Sequence, residues 1–270
     1  MAYTKRRPFT LTFQALEELA SEIRAAGVSP APALPTLESV LAELDTLPPQ
    51  AVFLGVATDG LPLLLNLTDP SPGPLLVLGD AGCGKTAFLQ TIVHAITLTD
   101  TAQHVQFAVI TNYPEEWEGY DALPNSNGIY ATYHPDSEEF LTHLFEWTHG
   151  NRGTRQSVLL LLDDLESLTH TSQETRQHLR YLLLRGPTRH VWPIATMNAR
   201  RSNLIAPWLE AFRTRIFGHV RNAVLAERLT GDRKANLSTL LAGVQFTLRQ
   251  GIDWLRFWIP RLDGEEAPEE

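Results

Sequence analysis

Eight consecutive residues, Gly79-Asp80-Ala81-Gly82-Cys83-Gly84-Lys85-Thr86, carry the pattern G-x-x-x-x-G-K-[ST]. Glycines at those positions let successive backbone N–H groups turn inward and cradle the oxygens of an anion. A helix that opens on the same residues adds its positive end. In such a loop the contacts to phosphate come from Gly79, Asp80, Ala81, Gly82, Cys83, Gly84, Lys85, Thr86 and Ala87. The Lys85 ammonium reaches the β- and γ-phosphates and the Thr86 hydroxyl is a ligand for Mg2+. The expected cofactors are therefore ATP and Mg2+.

A second segment supplies carboxylates. Residues 158–162 read Val-Leu-Leu-Leu-Leu and run into Asp163-Asp164. An unbroken aliphatic run is the pattern of a strand buried on both faces, as in a parallel sheet. Such a strand beside the phosphate loop delivers Asp163 to the metal, commonly through a water. Asp164 then stands where a carboxylate orients the attacking water, and Glu166 is the next carboxylate along the chain. A third apolar run, 193–198, ends in polar residues, with Thr196 and Asn198 as candidates to touch the γ-phosphate or the water.

Arginines gather at Arg185, Arg189, Arg200, Arg201, Arg213 and Arg215. Their charge is permanent and their donors are forked, so any of them suits a charge-stabilising contact supplied to a neighbouring chain. The nine histidines are scattered without metal-ligand spacing, and the lone cysteine, Cys83, excludes a disulfide framework. Trp254, Phe257 and Trp258 near the end read as packing residues.

These groups need elements to hold them. Strands are expected at 75–78, 105–111, 157–162, 191–196 and 215–220, and helices at 85–96, 137–148, 171–185 and 203–212. Thr171 and Glu174 have capping-box spacing, and Gly186 follows the third of these helices as a stop. Strand and helix in alternation imply an α/β layered fold with a mainly parallel central sheet and helices on both faces. Residues 51–67 read as a hairpin about Asp59-Gly60, and 245–248 with 252–259 as a closing hairpin. Ahead of them, residues 13–26 have helical periodicity, 28–35 are proline-rich, and 37–47 form a second short helix. The chain thus divides into an N-terminal helical appendage with its linker (1–50), a main domain (51–262) and an acidic tail (263–270).

The whole chain has 270 residues, 43% of them hydrophobic, with 22 Lys and Arg against 31 Asp and Glu, a net charge of −9. This is globular composition. The acidic balance argues against a broadly basic nucleic-acid glove but allows a local basic ring. No apolar run nears the ~20 residues that span a bilayer, and the start has no secretory core, so a cytoplasmic setting with no direct membrane insertion is expected.

The order of segments resembles the motor domain of the FtsK/SpoIIIE family, within the FtsK–HerA group. The resemblance runs over about 51–260. It rests on the hairpin before the phosphate loop, LLVLGDAGCGKTAFLQTIVHAI, VQFAVITNYPEEWEGYDALPN, LLLLDD and WPIATMNARRSNLIAPWLEAFRTRIFGHV. It implies a RecA-like P-loop ATPase that assembles as a homo-oligomer, a hexameric ring with nucleotide between subunits. Carried over by motif, Lys85 and Thr86 take the phosphate-loop roles, Asp163 the metal, Asp164 the catalytic carboxylate and Asn198 the polar sensor. Arg185 and Arg189 stand where the family often keeps its trans arginine. Members move double-stranded DNA, which the resemblance makes the first partner. A protein partner, as in secretion or conjugation, and a nucleotide-binding assembly module with little hydrolysis are the alternatives. Three departures stand out. Asp164 replaces the usual glutamate, Thr111-Asn112-Tyr113 replaces Asp-x-Lys, and Ala199-Arg200 replaces Arg-Pro. Slow turnover is the expected consequence of the first. The length also leaves no room for a C-terminal winged helix.

Overall fold

A computed structural model describes residues 35–262 apart from 45, 46, 49, 100–103 and 152–155. The helix expected at 13–26, most of the linker at 28–35 and the tail at 263–270 lie outside the described residues.

The first described helix, α1 (Leu37–Glu43), opens on Thr36, whose hydroxyl accepts from Ser39 N at 3.3 Å. Ten strands follow and join one sheet: β1 (Ala51–Ala57), β2 (Pro62–Asn66), β3 (Leu75–Gly79), β4 (Val105–Thr111), β5 (Ser126–Ala131), β6 (Ser157–Asp163), β7 (Val191–Asn198), β8 (Thr214–Phe217), β9 (Gln245–Gln250) and β10 (Asp253–Trp258). Their order across the sheet is β2-β1-β10-β9-β8-β3-β7-β6-β4-β5. The six strands from β8 to β5 are parallel, and the other four are antiparallel and extend one side.

Alternation along the parallel strands splits the core into two layers, because successive side chains point to opposite faces. Leu75, Val77, Val109, Leu159 and Leu161 face Phe88, Leu89, Ile92, Val93 and Ile96 of helix α2 (Lys85–Thr99). Leu76, Leu78, Ile110, Leu160 and Leu162 face Leu141 and Leu144 of α3 (Pro135–Gly150) and Leu179, Leu182 and Leu183 of α4 (Gln173–Arg185). Helices therefore cover both faces, and β6 is buried along its whole length. Leu37 and Val40 of α1 form a third small cluster with Phe53, Val56, Ala95 and Leu262, and Leu37 N donates to Arg261 O at 2.9 Å.

Several local expectations change. The first hairpin turns through three residues, 58–60, closed by Ala57 N donating to Leu61 O at 2.8 Å, with Gly60 left-handed at φ 85°. Strand β5 is additional: all six residues are half-buried, so it shows no period-two pattern. Residues 112–127 hold 3-10 turns at Pro114–Trp117 and Tyr120–Ala122 and then enter β5. The helix expected at 203–212 is a 3-10 segment, Ala199–Ile205, followed by the short α5 (Ala206–Leu209), because the Asn198 side chain caps the tighter turn at Arg200 N. Among the described residues the last α-helix is α6 (Ala223–Thr230). No helix among the described residues is long and apolar enough to cross a membrane.

The cap of α4 is Ser172 rather than Thr171. Its hydroxyl accepts from Thr175 N at 3.1 Å. The reciprocal acceptor is not Glu174 but Glu138 of α3, whose Oε1 takes Ser172 N at 3.4 Å and whose Oε2 takes the Thr175 hydroxyl. At the other end, Gly186 is right-handed at φ −50°. Its lack of a side chain matters for space: a Cβ there would collide with Leu182 O and lie 2.6 Å from Val191 O. Both are backbone atoms, so neither can swing aside. Gly186→Ala should lower stability by about 1–3 kcal/mol, the usual penalty of overpacking. Equilibrium urea unfolding measures it, and an unchanged midpoint would refute the packing account.

Candidate functional site

Four adjacent parallel strands end at one level. Gly79 pairs with Asn198 across β3 and β7, and Thr111 pairs with Asp163 across β4 and β6. In open α/β sheets ligands bind beyond the carboxyl ends of the strands, and here those ends carry nearly every residue singled out above.

The loop after β3 turns through Gly82 (φ 73°) and Gly84 (φ 90°), a region that L-side chains avoid. A Cβ on Gly84 would also meet the Gly243 backbone, with the carbonyl carbon 2.7 Å away, so the loop rests on the segment that enters β9. Asp80 anchors the turn. Its N–H donates to His219 O at 2.9 Å, its carboxylate accepts from Arg221 N at 2.9 Å, and its carbonyl accepts from Cys83 N at 3.3 Å. Cys83 is buried, which pushes its thiol up and leaves it a packing residue. The Lys85 ammonium donates to Asp80 O at 3.1 Å, so the cation already sits over its own loop. The first-turn N–H groups of α2 have no intrahelical acceptor, and the helix has no acidic residue in that turn to neutralise its positive end.

Asp163 is the centre of the arrangement and only 3% exposed. Its Oδ2 accepts from the Thr86 hydroxyl at 3.0 Å and from the Trp117 indole N–H at 3.3 Å. Its Oδ1 accepts from the Thr196 hydroxyl at 2.6 Å. The Thr196 oxygen in turn accepts from Asp164 N at 2.9 Å. Thr196, fully buried, thus latches β7 to the end of β6. Asp164 adopts the left-handed region, φ 69° and ψ 65°. Its carboxyl is pushed up chiefly by burial and next by Asp163, against the pull of Lys85 and Arg201.

Glu166 and Asn198 meet beside this core. Asn198 N donates to Glu166 Oε1 at 3.4 Å, and Arg201 Nη1 lies 3.8 Å from the same oxygen. Glu166 is 4% exposed, and its Oε2 has no hydrogen-bond partner. Burial holds the carboxyl above its ordinary range, and Asp164 adds to the shift. It borders a cleft of about 470 Å³ lined also by Asn112, Thr132, Tyr133, His170 and Arg201. Arg200 extends toward the phosphate loop, its Nε 4.0 Å from Asp80 Oδ1.

The donor set fits Mg2+. That ion takes oxygen ligands and is commonly held by one or two protein oxygens together with substrate phosphates, not by an all-protein cage. Thr86 and Asp163 offer a hydroxyl and a carboxylate in contact. Among the described residues no group of three His, Cys, Asp or Glu is arranged to hold a metal alone.

The structure therefore brings together Lys85, Thr86, Asp163, Asp164, Glu166 and Asn198. Arg185 and Arg189 are not among them. They precede Val191, at the start of β7, while Asn198 at its far end faces the loop, a span of roughly 23 Å at strand rise. Arg189 Nη1 donates to Asn151 O at 3.4 Å there. One participant went unrecognised in the sequence: Trp117, through its indole N–H on Asp163 Oδ2. The acidic run around it gave no sign of this, because its partner lies forty-six residues away.

The raised Glu166 carboxyl has a stability consequence. A carboxyl with a folded pKa above its unfolded value binds protons better when folded, so its contribution is greatest at low pH and declines as pH rises through the window between the two values. Asp164, Arg201, His170, Glu138 and Tyr133 are the charged or titratable groups around it, and of the charges acting on it Asp164 pushes it upward and Arg201 downward. Glu166→Gln should therefore raise the melting temperature above neutral pH. The advantage should vanish as the pH falls to the ordinary glutamate range, where the parent carboxyl is protonated too. Parallel melting curves of parent and variant from pH 4 to 8 test this, and a gap that is constant across that range would contradict it.

Comparison with known proteins agrees with this geometry. Residues 48–160 match the FtsK/SpoIIIE family model. No curated protein sequence matches the chain. Among solved structures, the cytoplasmic domain of the Thermomonospora curvata type VII secretion ATPase EccC superposes with a TM-score of 0.69 at 16% identity, over 87% of this chain and 33% of that one. EssC ATPases 2 and 3 from Geobacillus thermodenitrificans give 0.70 at 13% identity, over 89% and 49%. The pCW3 conjugation coupling protein TcpA, in its monomer form with ATPγS, gives 0.66 at 15% identity, over 86% and 71%. The chain thus spans a third to a half of the secretion ATPases it matches. At such identities the likeness is one of fold. The main domain thus has the RecA-like P-loop ATPase fold, and its residues 48–160 are similar to the FtsK/SpoIIIE family.

Proposed function

We propose that this chain binds ATP with Mg2+ and hydrolyses it as a subunit of a ring motor, with double-stranded DNA as the polymer moved. The observation that carries the proposal is the junction of Lys85, Thr86, Asp163 and Thr196 at the carboxyl ends of β3, β6 and β7. In this reading Lys85 neutralises β- and γ-phosphate oxygens, and Thr86 and Asp163 hold the metal. When bound, Mg2+ supplies positive charge against the oxygens of the transferred phosphoryl group. Asp164 orients the attacking water. Glu166, in the 3-10 turn after β6, and Asn198, at the end of β7, are the further candidates to contact the water or the γ-phosphate.

Assembly follows from what one chain lacks. Arg185 and Arg189 stand at the opposite ends of the strands from their own phosphate loop, a position from which an arginine serves a neighbour and not itself. A homo-oligomer, a ring of six as the family resemblance implies, brings the two ends together. The arrangement 1–50, 51–262 and 263–270 leaves the second segment as the motor, in a cytoplasmic setting.

A protein polymer is the second reading, and one observation favours it. The turn region beside the site carries Glu115, Glu116, Glu118 and Asp121 and no Lys or Arg, which repels a phosphate backbone. The solved secretion ATPases share this fold. ATPase activity with and without double-stranded DNA separates the readings: stimulation supports the first, and DNA-independent turnover the second.

Lys85→Ala should weaken nucleotide binding by about 2–3 kcal/mol, roughly 30- to 150-fold in Kd, the loss of a charge-assisted contact. Calorimetric titration with ATP reads it, and unchanged affinity would remove the phosphate-loop role. Asp163→Asn should weaken binding only with Mg2+ present. Asp164→Asn should leave binding intact and lower turnover about 100-fold, the scale of a water-activating carboxylate. Turnover equal to the parent's at saturating ATP would exclude Asp164 as that group. Sedimentation with and without ATP tests assembly, and a monomer at every concentration with nucleotide would argue against a ring.

A further inference from the structure

Three arginines and a tryptophan meet away from the phosphate loop. Arg213 leads into β8, Arg215 lies on β8, Arg249 on β9 and Trp254 on β10. Across β8 and β9, Ile216 stands opposite Leu248 and Phe217 opposite Thr247, so the same register sets Arg215 opposite Arg249. Arg249 in turn stands opposite Trp254. Residues directly opposite share one face of the sheet. Together with Phe217, two residues on from Arg215, they line a cavity of about 520 Å³ that Arg213 and Glu210 also border. Strand β8 runs parallel to β3 with Thr214 beside Leu75, so the cavity lies toward the other end of the strands from Gly79, roughly 13 Å away at strand rise.

Like charges directly opposite on a sheet repel. Here both are held in place. The half-buried Arg215 donates from Nε to Phe212 O at 3.3 Å and from Nη2 to Leu209 O at 3.1 Å. Arg249 Nε donates to Gly251 O at 3.2 Å, across the turn into β10. Among the described residues none of the three arginines is ion-paired. Glu210 is the acidic group on the lining. Asp232, close by, is occupied: it accepts from the Trp254 indole at 3.0 Å and from Lys234 N at 2.8 Å. That bond and the edge-on contact of Trp254 with Phe217, ring centres 5.8 Å apart, fix the aromatic wall. A chain of net charge −9 thus sets three cations against one carboxylate around a single cavity. A guanidinium is permanently charged, and its planar fork matches two oxygens of a phosphoryl group at once. An oxyanion between Arg215 and Arg249 converts their repulsion into two charge-assisted contacts.

We propose that this cavity is a second anion site, for a phosphoryl group, whose oxygens are held by Arg213, Arg215 and Arg249. The site shares no residue with the phosphate loop, so the assignment stands apart from the ATP reading. A phosphoryl group reaches it either free or within the backbone of double-stranded DNA.

The test uses the full chain carrying Lys85→Ala, which disables the phosphate loop, and adds Arg213→Gln or Arg249→Gln. Both of these side chains are exposed, so their loss leaves the packing intact, whereas Arg215 is tied to the residues around α5 and is kept. Arg180→Gln, the same charge change on α4, is the control. One arm follows inorganic phosphate by the broadening of its 31P resonance, against chloride at matched ionic strength. The other follows a fluorescent 20-base-pair duplex by anisotropy over a range of salt. Arg213→Gln and Arg249→Gln should each weaken the bound probe about 10-fold, the scale of one charge-assisted contact at an exposed position, while Arg180→Gln stays within about two-fold. Loss in the phosphate arm alone identifies a free phosphate ester as the ligand. Loss in the duplex arm, with the salt slope reduced by about 0.9 for each arginine removed, identifies the DNA backbone. Equal binding by parent and both variants in both arms overturns the site. So does an equal loss in Arg180→Gln, which marks general surface charge, and so does a parent that binds neither probe.

Discussion

One buried carboxylate organises the edge of the sheet beside the phosphate loop. An ionised carboxylate in a low-dielectric interior is costly unless its lone pairs are occupied. Asp163 meets that condition with donors from three elements: the Thr86 hydroxyl at the start of α2, the Thr196 hydroxyl on β7 and the Trp117 indole after β4. Each bond fixes the level at which its element stops relative to β6. A one-residue slip of β7 would point Thr196 to the other face of the sheet and leave Oδ1 without its partner. The register of the four central strands and the solvation of this single group are therefore the same requirement.

The backbone at Asp164 follows from it. With β6 stopped at Asp163, the chain must leave the sheet at once, and residue 164 takes the left-handed conformation to do so. Aspartate and asparagine tolerate that region better than longer side chains. Its N–H is used to hold Thr196, so the turn, the latch and the carboxylate share one residue. The shorter acid, read from the sequence as a departure from the family, thus has a conformational reason at this position. It also puts the Asp164 carboxyl under the influence of Asp163, which raises it, and of Lys85 and Arg201, which lower it.

What the sequence disclosed depended on whether the controlling interaction was local. The phosphate loop was legible because its glycines, lysine and threonine do their work within eight residues. Strands β3, β4, β6 and β7 were legible because burial on both faces demands continuous aliphatic runs. β5 was not, since a half-buried edge strand satisfies no pattern. The cap of α4 was misassigned by one residue because its acceptor, Glu138, comes from another helix. The 3-10 segment at Ala199–Ile205 read as helix because apolar spacing does not register a side-chain cap such as that of Asn198. Trp117 stayed hidden for the same reason: its partner, Asp163, is one that only the sheet brings near.

The charges at the site point toward assembly. Around the phosphate loop stand Asp80, Glu116, Asp163, Asp164 and Glu166, five carboxylates, against Lys85, Arg200 and Arg201. Two of those cations are largely exposed: the Arg200 and Arg201 side chains are 72% and 65% accessible, so solvent screens much of their effect. A polyphosphate adds further negative charge to a region that one chain does not neutralise. On the proposed reading the deficit is met by a divalent cation over Thr86 and Asp163 and by arginine from a neighbour. Nucleotide would then bind best where subunits meet, which would couple occupancy to assembly without any additional device in the fold.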